Sequence, residues 1–121
     1  MQSHSLTLKV SPAGRAFMRF LAAFNSGDEE RIADFVHQNY NKTTLMDTSA
    51  DDIVAWFMDL HASTGGLHIF KVYSSERFHV MVIVRAMNDE NAMFLDKLKV
   101  DDLPPHGVTE YLHEQLPSTE E

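Results

Sequence analysis

The stretch LHIFKVYSSERFHVMVIVRAMNDENAMFLDKLKV, residues 67–100, decides the fold. Three runs within it, Leu67 to Tyr73, Phe78 to Met87 and Ala92 to Val100, are rich in β-branched and aromatic residues and carry a period of two. SSER and NDEN separate them as turn-like breaks, so the runs are expected to be antiparallel strands. The middle run is apolar on both faces. Phe78, Val80, Val82, Val84 and Ala86 point one way, and Met81, Ile83 and Met87 the other. One face can meet helices, while the other needs a cover of its own; the expectation is the same sheet of a twofold mate, a homodimer through the sheet.

C-terminal to this stretch, Pro104-Pro105 breaks the chain before Val108 to Leu116. Val108, Leu112 and Leu116 fit an every-fourth and an every-second pattern alike; the segment is taken as a fourth strand. N-terminal to it, Gly65-Gly66 closes a region with the helical period. Ser11-Pro12 forms a cap with proline in the first turn, followed by Phe17, Phe20, Leu21 and Phe24 on one face. Ser26 with Glu29 has the form of a capping box for a second helix carrying Ile32, Phe35 and Val36. NYNKTT is expected to be a polar loop, after which Ser49 and Asp52 open a third helix with Ile53, Trp56, Phe57 and Leu60. Helices followed by strands give an α+β class, three N-terminal helices laid across a four-stranded antiparallel sheet.

The chain has 121 residues, one domain's worth, with a core expected over residues 11–117 and an acidic tail over 117–121. Lys plus Arg is 10 and Asp plus Glu is 18, a net charge of −8 that repels phosphate backbones and anionic headgroups, so neither nucleic acid nor membrane is an expected partner. Cysteine is absent, which excludes disulfides, thiolate metal sites and a cysteine nucleophile. The opening MQSHSLTLKV has no basic segment leading into an apolar run, so a cytoplasmic location is the expectation.

Three helices followed by a four-stranded antiparallel sheet resemble the nuclear transport factor 2-like superfamily, also called cystatin-like or SnoaL-like. FLAAFNSGDEERIADFVHQNY, residues 20–40, is similar to the opening of many members, in which a first helix ends at an Asn-x-Gly-Asp turn. STGGLHIFKV and PPHGVTEYL are similar to a branch of small domains found alone or appended to serine hydrolases and peptidases. The resemblance implies a cone-shaped fold with a curved sheet and a pocket between the helices and its concave face. Catalytic members such as ketosteroid isomerase place a Tyr on the first helix and carboxylic acids deeper in the pocket; here the inward face is Phe17, Phe20, Leu21 and Phe24. The superfamily includes isomerases, dehydratases, cyclases, accessory subunits and binding domains, so function has to be argued from the site.

Asp96 shares its strand face with Phe94 and Leu98, and a carboxyl in an apolar setting is a candidate general acid or base. Its alternative is a structural pair with Arg85 or Lys97 near solvent. Arg85, in an otherwise apolar strand, is a candidate clamp for a ligand carboxylate, or else reaches water along its own stem. Tyr111 and His113 alternate on the last segment and, with Thr109, form a polar set that either orients a ligand or lies on the convex side. Phe20 and Trp56 complete the candidate lining, Trp56 with Phe57 being core by periodicity. His61, His68 and His79 follow no metal-ligand spacing, and no metal site is expected. Neither a Gly-x-Gly-x-x-Gly nor a P-loop is present, and nothing implies a cofactor. Asn41-Lys42-Thr43 fits the glycosylation pattern by chance. Three functions are therefore open: a noncatalytic binding or accessory module with an apolar pocket for a hydrophobic small molecule; an isomerase, dehydratase or cyclase working by acid-base chemistry; and a dimerisation module whose cone is filled by its own side chains.

Overall fold

The computed structural model describes residues 8–117. Residues 118–121, most of the expected acidic tail, lie outside the described residues. The order is α1 (Pro12–Ser26), α2 (Glu29–Asn39), α3 (Lys42–Asp47), α4 (Ala50–Thr64), β1 (Leu67–Ser75), β2 (His79–Ala86), β3 (Asp89–Val100) and β4 (Val108–Gln115). The class is α+β, and the four strands form one antiparallel sheet in the order β1-β2-β3-β4. No helix among the described residues is long and apolar enough to cross a membrane.

Four helices stand where three were expected. The segment NYNKTT is not wholly a loop: the Asn41 side chain accepts from the backbone N–H groups of Thr43 and Thr44 and starts α3, a short helix with no fully buried residue and too few turns to show a period. Ser26 is also reassigned. It ends α1, and Asp28 caps α2 by accepting from Glu30 N at 3.0 Å. The extra residue between the helices is Gly27, whose φ of 67° lies in the left-handed region and lets its N–H close on Phe24 O at 3.1 Å. The caps at Ser11 and Ser49 stand as expected, each hydroxyl accepting from a first-turn N–H.

Strand edges shift in the same way. Ser74 and Ser75 pair with β2, and Asp89 to Asn91 belong to β3, so the second connection shrinks to Met87-Asn88. Val108 to Gln115 is a strand, because it finds a partner in β3 along its length. The alternation on β2 is complete: Val80, Val82, Val84 and Ala86 are buried, while Met81, Ile83 and Arg85 are half-buried on the opposite face.

The core lies between that buried face and the apolar faces of α1, α2 and α4. Phe20 sits at its centre, 1% exposed, with its ring 5.3 to 6.0 Å from Phe17, Phe24, Phe35 and Phe57 and 4.6 Å from Tyr111. These tilted pairs join three helices to the last strand. Ala13 N donates to Arg77 O at 3.0 Å and ties the start of α1 to the β1–β2 turn. Phe20→Ala, which removes the shared ring, is expected to lower unfolding stability by about 3–5 kcal/mol in urea titrations; a loss below about 1 kcal/mol would show that this ring is not the centre of the core.

Candidate functional site

Asp96 occupies the middle of β3, opposite Val82 on β2 and His113 on β4, with Leu98 opposite Tyr111. Residues directly opposite in an antiparallel pair point to the same face, so Asp96 shares the helix-facing side with Val80, Val82 and Val84. The carboxylate is fully buried. Burial without partners would be prohibitive for a charge, and β4 supplies two donors. Tyr111 Oη donates to Asp96 Oδ2 at 2.5 Å, and His113 Nδ1 donates to Asp96 Oδ1 at 2.6 Å. Both are short, charge-assisted bonds.

The alternative of a solvent-side pair with Arg85 or Lys97 is overturned, and so is the convex placement of Tyr111 and His113. Arg85 is on the outer face, where its guanidinium lies 4.8 Å from the centre of the Phe70 ring. Register alternation keeps it away from Asp96, and it takes no part in the cluster. Its Nε is buried with no partner among the described residues.

Because a carboxylate can only accept, the His113 proton at Nδ1 is set by Asp96, and Nε2 is the nitrogen left over. Nε2 is buried and has no hydrogen-bond partner among the described residues, while the ring stacks on Phe94 at 4.2 Å. The imidazole is thus held in one orientation with its second nitrogen unspent. Tyr111 is packed by Phe20, Phe57 at 5.6 Å and Trp56 at 5.7 Å. Burial first, and then the negative charge of Asp96, push the Tyr111 phenol well above the ordinary tyrosine range, so it remains a donor. Burial raises Tyr40 as well.

Five of the six candidate residues, Asp96, Tyr111, His113, Phe20 and Trp56, therefore meet around one point, and Arg85 does not. Trp56 is 41% exposed, which corrects its assignment to the core. It stands at the mouth of a cleft of about 250 Å³ whose walls include Tyr40, Thr44, Ile53, Thr109 and Tyr111. Phe94 was already named as sharing the strand face of Asp96, whereas Tyr40 was missed from the sequence: it follows a helix end and reaches the site through its parallel bridge to Val108. His61 packs on Phe24 at 5.5 Å in the last turn of α4, while His68 and His79 lie on β1 and β2. Among the described residues no three His, Asp or Glu side chains stand together as a metal-holding group.

The two buried phenols make stability pH-dependent at the alkaline end. Unfolded tyrosines ionise near pH 10, whereas Tyr40 and Tyr111 stay protonated in the folded chain, so their contribution is complete below about pH 10 and lost as pH rises. The slope should approach about 1.4 kcal/mol per pH unit for each phenol. Urea midpoints measured from pH 8 to pH 11.5 should fall accordingly, and Tyr111→Phe should flatten the slope by one phenol while costing about 1.5–3 kcal/mol at pH 7 through the bond lost to Asp96. An unchanged slope in that variant would contradict the buried assignment.

Comparison of the chain with protein-family models, with curated proteins and with solved structures finds no match.

Proposed function

We propose that this chain is a noncatalytic binding or accessory module for a hydrophobic small molecule, built on the cone-shaped fold of the nuclear transport factor 2-like superfamily. The observation that carries the reading is His113 Nε2, a buried acceptor held in place by Asp96 and lacking any partner among the described residues. Buried polar atoms in native proteins are satisfied as a rule, and each exception calls for an explanation. A ligand hydroxyl or N–H supplies that partner. The apolar body of such a ligand lies along Trp56, Ile53 and Tyr111 in the cleft, whose lining stops two residues short of His113 on β4. Binding sites of this type are mostly apolar with a few placed polar groups.

The same imidazole supports a second reading. A histidine oriented by a carboxylate with its other nitrogen free is the arrangement of a general base, as an isomerase, dehydratase or cyclase would need. Turnover of a bound compound by the parent chain that His113→Gln abolishes while binding persists would favour it. The third reading, a dimerisation module with a filled cone, draws support from Phe17, Phe20, Phe24 and Phe57, each nearly inaccessible between helices and sheet.

A homodimer in the cytoplasm accompanies the first reading. The outer face carries half-buried Met81, Ile83, Met93 and Leu95, with exposed Phe70 nearby on β1 and Leu112 on β4. Glu114 on the edge strand and Arg85 on β2 share that face and are suited to meet across a twofold axis.

Native mass spectrometry of freshly purified protein, followed by denaturing extraction, tests these together. The expected result is a dimer releasing a defined apolar molecule with a hydrogen-bond donor, absent from His113→Ala preparations. A ligand-free dimer that also fails to take up hydroxylated hydrophobic compounds would sink the binding reading and leave the filled module. Met81→Asp should give a monomer by the same measurement; a dimer of unchanged stability would remove the outer face as the interface.

A further inference from the structure

A second groove, of about 480 Å³ and lined by neither Asp96 nor His113, lies where α1, α2, α3 and the β3–β4 connection converge. Its size is that of a small-molecule site. Its lining inverts the charge of the chain. The protein carries a net charge of −8, yet Arg19, His37, Lys42 and His106 face this groove against one carboxylate, Asp101. That carboxylate is already engaged: Oδ2 accepts from Asn41 Nδ2 at 3.0 Å and Oδ1 from Leu103 N at 3.1 Å. Neither Arg19 nor Lys42 is in an ion pair among the described residues.

His106 is held by its own loop. His106 Nδ1 donates to Asp101 O at 2.9 Å, its backbone N–H donates to Leu103 O at 2.8 Å, and its ring stacks on Phe78 at 5.6 Å. Its φ of 62° lies in the left-handed region, a conformation that non-glycine residues adopt only when the surroundings require it. Nε2 is then the ring nitrogen left for the groove, where it accepts from a phosphate hydroxyl or, once protonated, donates to a phosphate oxygen.

We propose that the groove formed by Arg19, His37, Lys42 and His106 binds a small phosphate monoester. A planar guanidinium and an ammonium from different helices, with imidazoles beside them, surround a tetrahedral dianion more completely than a flat carboxylate. The chain's net charge of −8 repels a polyanion, so the phosphate belongs to a free small molecule rather than to nucleic acid. This site shares neither Asp96 nor His113, and its lining meets that of the apolar cleft only at Tyr40.

The test is a ¹H–¹⁵N NMR titration of the full chain with inorganic phosphate and with glycerol phosphate, at ionic strength held constant with sodium chloride. Saturable shifts are expected at the amides of residues 38–43 and 106–107, which line the groove. Arg19→Gln and Lys42→Gln, at exposed positions, should each weaken the affinity by about tenfold, or about 1.4 kcal/mol, with unchanged thermal midpoints. The proposal is overturned if chloride alone reproduces the shifts, if both variants bind phosphate as the parent does, or if malonate binds where phosphate does not.

Discussion

A carboxylate with no access to water dictates much of this structure. Asp96 can stay buried only if donors reach both of its oxygens, and Tyr111 and His113 do so from adjacent inward positions of β4. Slipping β4 by one residue would turn both donors outward and leave a buried charge alone. The register of β3 with β4 is therefore held by electrostatics as much as by backbone bonding. That register in turn places the Tyr111 ring against Phe20, so the polar cluster and the apolar core are one packed unit.

The core shares this dependence on a few points of contact. Phe20 belongs to α1 yet touches rings from α2, α4 and β4, so the packing of three helices is referred to one side chain. Trp56 and Phe57, adjacent in sequence, divide the labour on α4. Phe57 is sealed inside at 1% exposure, while Trp56 remains at the rim at 41%. This arrangement sets Trp56 beside Tyr111, the one member of the Asp96 cluster in the wall of the cleft.

The two faces of the sheet illustrate how far local patterning reaches. Alternation on Phe78 to Met87 correctly separated the valine face from the methionine face, because strand periodicity is a property of the backbone. Arg85 was legible as an outer-face residue from the same pattern, and that alternation separates it from the pocket in which it was expected beside Asp96. The Asp96 cluster was also partly encoded. A hairpin folded symmetrically about Pro104-Pro105 pairs Asp96 with His113 and Leu98 with Tyr111, so the turn position carried the register. What hid it was the ambiguity of Val108 to Leu116, whose apolar spacing suits helix and strand equally.

By itself the sequence determined the α+β class, the caps at Ser11 and Ser49, the glycine stops at Gly27 and Gly65, and the buried face of β2. Each is a local matter of side-chain period, cap chemistry or glycine's access to positive φ. Tertiary structure alone decided that Asp96 is fully buried, that Tyr111 and His113 are its partners, that Tyr40 joins the site, and that a helix, α3, starts within NYNKTT at Lys42. These depend on groups far apart in the chain and on the cost of leaving a buried charge unpaired, and that cost arises only once the chain has closed around it.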